Sequence, residues 1–291
     1  MANALELFKS FGTKLDLVYQ KASCTAILDG QNELVRQGAN ANEMLVPMIS
    51  MDGLADYSRN GGYVAGDVTM EFETKKCNFD RGRMFTVDSM DNIETMMLAF
   101  GALSSEFIRT KVTPELDAFR LSKYAAYDTY GVAAADLTTG AQVRNALSKA
   151  STDMDENEVP EDQRYLYITS TLYQAIADMD TTTSREVLKR FAGIIKVPQS
   201  RFFTEIIQKS GVGDYKEGGF TRKEGANNMN FIIVHKPAVI QFSKRVAPKI
   251  VEPKANQNAD AWKYGYRHVA IAEVYENKKK GIYVHKSTVT E

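Results

Sequence analysis

Apolar side chains recur along this chain in changing rhythms, and each change of rhythm marks an element. Leu5, Leu7, Phe8, Phe11, Leu15 and Leu17 are loosely helical in spacing but broken by Gly12, which suggests an arm that orders on a neighbour. Residues 29–43 read as loop, and Met44 to Met51 as a short apolar strand whose Pro47 suits a sheet edge. Residues 52–67 carry Gly53, Gly61, Gly62 and Gly66 among Asp52, Asp56, Arg59 and Asn60, the chemistry of an exposed loop tip. Val68, Met70 and Phe72 then alternate with Thr69, Glu71 and Glu73, the period of a half-buried strand, and a second alternation follows at Arg83, Phe85 and Val87. These segments predict a long two-stranded excursion with too little apolar side chain to stabilise itself, so a partner surface is implied.

The period then becomes helical. Asp91 and Glu94 have the spacing of a capping box, and Ile93, Met97, Phe100, Leu103, Phe107, Ile108, Leu116, Phe119 and Tyr127 continue a helix over 92–127, about 54 Å at about 1.5 Å per residue. Pro114 lacks a backbone donor and predicts a kink or break over 109–113. Beyond Tyr130 shorter elements alternate, as in a second domain inserted before the C-terminal strands. The expected order is a helix capped by Thr138 or Thr139 and running through Ala150, an acidic loop over 151–163 and a strand over 165–169. A helix capped by Ser170 or Thr171, a helix over 184–191 and a strand over 193–203 follow. A polar, glycine-rich loop over 211–230 leads to a buried strand over 231–234, a break at Pro237, and an apolar pattern at Ile240, Phe242 and Val246. After a linker over 254–260, strands over 262–275 and 281–285 around Asn277-Lys278-Lys279-Lys280-Gly281 predict a closing hairpin.

Composition narrows the function classes. With 36 basic against 37 acidic residues the net charge of -1 predicts no nucleic-acid or membrane partner. The N-terminus is interrupted by Glu6, Lys9, Lys14 and Asp16, unlike a signal peptide, and the longest apolar stretch, 96–103, is far short of the roughly 20 residues a membrane helix needs; a cytoplasmic protein is expected. Cys24 and Cys77 match no metal or redox spacing and read as small apolar residues.

Catalytic chemistry is sparse. His235, His268 and His285 sit in or at the ends of predicted strands, and none forms a metal-binding pair. Gly211-Val212-Gly213 starts a dinucleotide loop that no third glycine completes, and Gly219 occupies the lysine position of a phosphate loop. Asp153, Asp155 and Asn157 have calcium-loop spacing, but Glu158 replaces the turn glycine and Arg164 the closing carboxylate. No Gly-x-Ser-x-Gly elbow occurs. No catalytic residue, cofactor or metal is assigned. Asp80, Arg81 and Arg83 around Gly82 stand where a core would want apolar groups, and two readings stay open: a solvated bend, or an intersubunit ion-pair site.

Four runs, 56–63, 73–85, 106–112 and 114–119, including Asp56-Tyr57-Ser58-Arg59-Asn60-Gly61-Gly62-Tyr63 and Asn78-Phe79-Asp80-Arg81-Gly82-Arg83, together with the order of elements, resemble tailed-bacteriophage major capsid proteins of the Hong Kong 97 type. The resemblance implies an α+β fold: N-terminal arm at 1–43, extended β-hairpin loop at 44–88, peripheral domain with a long spine helix at 89–128, inserted axial α/β domain at 129–255, and strands returning to the peripheral domain at 256–291. It implies a shell protein, not an enzyme, found in the virion and assembled in the host cytoplasm. The expected partners are its own copies as hexamers and pentamers, a separate scaffolding protein, a portal protein, and packaged double-stranded DNA held without sequence preference. Tyr57, Arg59, Tyr63, Asp80, Arg81 and Arg83 are the candidate intersubunit contacts. Lys75 and Lys76 lie away from the glycine-rich tip, so no crosslinking residue is assigned. The alternatives are a bacterial nanocompartment shell of the same fold, and an enzyme whose site pairs His235 or His268 with an acidic group.

Overall fold

The computed structural model describes residues 22–30, 36–37, 43–89, 104–131 and 134–288. The arm pattern at Leu5 to Leu17 and the helix opening at Asp91 lie outside them. Among the described residues the strands are β1 (Arg36–Gln37), β2 (Glu43–Met51), β3 (Val68–Lys76), β4 (Phe79–Asp88), β5 (Arg164–Thr169), β6 (Gly193–Val197), β7 (Ile206–Gln208), β8 (Phe220–Arg222), β9 (Met229–His235), β10 (Val239–Val251), β11 (Ala261–Val274) and β12 (Ile282–Lys286). The α-helices are α1 (Thr113–Ala125), α2 (Gly140–Glu156), α3 (Ser170–Ala177) and α4 (Thr182–Lys189). The sheets run β1-β2-β3, β10-β11-β4, β12-β9-β5-β6 and β7-β8, and among these pairings only β5 with β6 is parallel.

Two hydrophobic clusters flank the four-stranded sheet. On one side Ile232, Val234 and Val284 join Leu116, Phe119 and Tyr124 of α1, Phe79 of β4 and Tyr264 and Tyr266 of β11. On the other, Phe231, Ile233, Leu166 and Ile168 meet Val143, Leu147, Ala150 and Met154 of α2 and Leu172 and Ile176 of α3. β9 is therefore buried on both faces, which is why its sequence runs apolar without alternation.

The helix around Pro114 stays continuous. Residues 104–107 are α-helical, Ile108–Val112 form one π-helical turn, and α1 follows with Pro114 in its first turn. The wider turn accommodates the missing proline donor without a break, and the Thr113 hydroxyl donates to the Ile108 carbonyl at 2.9 Å.

Several local expectations are corrected. α2 runs to Glu156, so the acidic loop begins later, because buried Met154 continues the Val143-Leu147-Ala150 stripe while the acids stay outside. Thr139 caps α2 in a capping box with Gln142, whereas α3 is preceded by Thr169 without a side-chain cap, and α4 starts at Thr182 under the Thr181 hydroxyl. β6 stops at Val197, where Pro198 cannot continue a ladder. The alternation at Arg83, Phe85 and Val87 is not part of the hairpin: β4 pairs with β11 from Phe79↔Ala270 to Asp88↔Ala261. The chain also does not close in a hairpin. β11 pairs with β10 and β4, and a 3-10 segment, Glu276–Gly281, carries the chain over to β12, which pairs with β9. Sheet membership accordingly cuts across a division at residue 255, since β10 lies with β11 and β12 with β9.

Gly140 shows how tightly α2 and α3 meet, for a Cβ there would run into the Ala175 carbonyl and the Met179 side chain. Gly140→Ala is expected to lower stability by about 1–3 kcal/mol through overpacking, read as a fall in the urea midpoint.

Candidate assembly surface

The hairpin is a nine-pair antiparallel ladder from Glu43↔Lys76 to Met51↔Val68. Among the described residues β1 pairs with Met44 and Leu45, and none pairs with Pro47 on the side of β2 away from β3. The ladder is prolonged by the Asp52 amide on the Asp67 carbonyl, and the Asp67 amide donates to Asp52 Oδ2 at 2.9 Å. At the tip the Ser58 and Gly62 backbones pair, Gly62 takes a left-handed φ of 76°, and the Tyr57 and Tyr63 rings meet edge to face at 4.9 Å. The strand prediction holds, but the half-buried face does not: Val68, Met70 and Phe72 are 71%, 57% and 45% exposed, and Leu54 and Tyr63 are almost fully so. An apolar face of this length on a two-stranded ribbon is the mark of a contact made elsewhere.

The six candidate contact residues fall into two groups. Tyr57, Arg59 and Tyr63 are exposed at the tip. Asp80, Arg81 and Arg83 lie at the root on β4 and are engaged within the chain. Asp80 takes a two-pronged bond from Arg267 of β11, Nε at 2.8 Å and Nη2 at 2.6 Å, and that bond holds its carboxyl below the usual range. Arg81 reaches Glu115 of α1 at 2.8 Å and donates to the Lys209 carbonyl at 2.7 Å. Burial pushes the Glu115 carboxyl up, with Arg81 opposing. Arg83 donates to the Lys216 carbonyl at 2.8 Å. The root cluster thus ties β4 to β11, α1 and the 209–219 loop.

A second polar centre lies on α1. Asp117, fully buried on α1, accepts from the Ser23 and Thr25 hydroxyls, both at 2.7 Å, from the Cys24 and Thr25 amides at 3.0 and 3.3 Å, and from Arg201 at 3.3 Å. One turn on, buried Arg120 donates to the Thr25 hydroxyl at 3.0 Å and pairs with Asp29 at 3.3 Å. Tyr124 donates to Gln241 Oε1, whose amide donates to the Thr25 carbonyl and Asp29. The segment entering the body at residues 23–30 is thereby fastened to α1 and β10. Cys24 is no mere apolar filler, since its thiol donates to Asp117 at 3.0 Å and is pushed up first by burial and then by that carboxylate. The available signal was the spacing of Asp117, Arg120 and Tyr124, which places three polar tips on one helical face.

All three histidines are buried. His268 is buried, with Nε2 3.0 Å from the Ser243 hydroxyl and Nδ1 3.3 Å from the Tyr266 hydroxyl, and burial, then Arg120, pushes it down to about 3. His285 lies 3.0 Å from Asn230, and burial lowers both His285 and His235. Because the unfolded His268 binds its proton near its ordinary value of 6.5 and the folded one near 3, its stabilising term is complete above pH 6.5 and is lost progressively as pH falls toward 3. A His268→Gln variant is expected to show a flatter fall of stability across that window, measured by urea titrations at stepped pH. Among the described residues no three His, Cys, Asp or Glu side chains are grouped to hold a metal, and no helix is long and apolar enough to cross a membrane.

No protein-family model and no curated protein sequence matches the chain. Solved structures do. A virus-like particle from Pyrococcus furiosus matches with a TM-score of 0.55 at 12% identity, over 96% of this chain and 99% of that one. The capsid of the cyanophage P-SCSP1u matches with a TM-score of 0.52 at 12% identity over 87% and 85%, and the capsid of the Myoviridae phage XM1 with 0.52 at 11% over 91% and 92%. The chain is built on the fold of phage capsid proteins.

Proposed function

We propose that this chain is the major capsid protein of a tailed bacteriophage, a structural protein and not an enzyme. Copies assemble as hexamers and pentamers into an icosahedral shell around double-stranded DNA. The observation that carries this reading is the hairpin Glu43–Lys76: a long ribbon with an exposed apolar face and tip, on a capsid fold, needs a neighbouring copy to cover it. In this plan residues 1–43 are the arm, 44–88 the extended loop, 89–128 the peripheral domain with its helix, 129–255 the axial domain and 256–291 the returning strands, with β10 and β12 exchanged between sheets. Tyr57, Arg59 and Tyr63 touch the neighbour, while Asp80, Arg81 and Arg83 brace the root from which the loop reaches it. A scaffolding protein guides assembly in the host cytoplasm, a portal occupies one vertex, and DNA is packed by contacts without sequence preference.

Electron microscopy of particles purified from a producing host tests this. Closed shells with the ultraviolet ratio of packed nucleic acid are expected. Shells filled with protein cargo would favour a nanocompartment, and a monodisperse monomer under all conditions would contradict both.

A further inference from the structure

We infer that Asn78 and Glu273 are positioning residues that fix the angle at which the hairpin leaves the subunit body. This deepens the capsid reading, because that angle decides where the tip meets the neighbouring copy. The hinge is the two-residue step, Cys77 and Asn78, at which the chain leaves the hairpin sheet and enters the sheet of β10, β11 and β4. The backbone ladder between β4 and β11 ends at Phe79↔Ala270. The Asn78 side chain then takes over where the backbone turns away. Its Nδ2 donates to the Ala272 carbonyl at 2.8 Å, and its Oδ1 accepts from the Ala272 amide at 3.1 Å. The same Nδ2 donates to Glu273 Oε1 at 3.0 Å, and the other oxygen, Oε2, accepts from the Tyr127 hydroxyl just beyond the end of α1. Hinge, β11 and the end of α1 are thus joined through one carboxylate with both oxygens in use.

The lever makes this matter. A nine-residue ladder reaches about 30 Å at about 3.4 Å per residue, so about 10° of freedom at the hinge moves the tip by about 5 Å. That exceeds the tolerance of a well-packed contact. Asn78 and Glu273 lie outside the hydrophobic clusters, so substituting either leaves the apolar side chains of the body in place.

The test is a distance distribution in unassembled full-length subunits, with bio-orthogonal spin labels at exposed Asn60 and Lys149 so that Cys24 and Cys77 stay native. Asn78→Ala and Glu273→Ala are expected to broaden the distribution at least twofold with little shift in melting temperature. Glu273→Gln, which can still accept from Asn78 and pair with Tyr127, is expected to keep the native width. Equal widths in all four proteins overturn the inference, and Asn78→Asp, which keeps the acceptor but loses the donor, replaces Asn78→Ala if that variant does not fold. Because the measurement needs no shells, a wild-type protein that fails to assemble counts against the capsid reading alone.

Discussion

Asp117→Ala is expected to destabilise the folded subunit by about 3–5 kcal/mol, the cost of removing one partner from a buried charged network. Arg201 loses its contact at 3.3 Å, and two hydroxyls, two amides and a thiol lose their acceptor at a position that is itself fully buried. Asp117→Asn should cost less, since the amide oxygen still accepts. Urea titration gives the size of the loss, and Cys24 gives its place. With segment 23–30 loosened and its acidic neighbour gone, the thiol is expected to react with a maleimide much faster than in the parent. A loss below about 1 kcal/mol, with unchanged thiol reactivity, would mean that the network does not fasten the segment.

Met70→Asp combined with Phe72→Asp is expected to abolish shell formation while leaving the isolated subunit within about 0.5 kcal/mol of the parent. Met70 is 57% and Phe72 45% exposed in the single chain, and neither belongs to the hydrophobic clusters, so charge there costs the monomer little. In the assembly, an unpaired carboxylate pressed against a partner costs about 2–5 kcal/mol at each contact, and every copy in a closed shell repeats the loss. Light scattering at matched concentrations reads the assembly and circular dichroism the fold. Normal shells from this variant would show that the apolar face is not buried between subunits.

The elements that could be read from the sequence are those whose determinants are local. Alternation at Val68, Met70 and Phe72, with glycines at the tip, predicted the ribbon, and Pro114 marked the place of the π-helical turn. Pairings over long separations could not be read that way. The Arg83-Phe85-Val87 alternation is the same whether β4 folds back on the ribbon or, as it does, joins β11 about 180 residues later. The turn-like Asn277 to Gly281 suggested a closing hairpin, but Ile282, Tyr283 and Val284 find their partners on β9. The candidate site was half legible. Its exposed tip follows from turn chemistry, whereas the spacing of Asp117 and Arg120 puts them on one helical face without showing that the face is buried. Only the fold shows that residues 23–30 deliver the donors and carbonyls they need. Asp80, Arg81 and Arg83 were recognised as unusual, but not as ties to β11, α1 and the 209–219 loop.

The most direct measurement is a cryo-electron microscopy reconstruction of purified particles, resolved well enough to trace the 51–73 ribbon. A closed shell is expected, in which Tyr57, Tyr63, Met70 and Phe72 lie buried against an adjacent copy, with Arg81 still on Glu115 of its own chain. A particle in which the ribbon projects freely into solvent, or a protein that forms no closed particle at all, would contradict it.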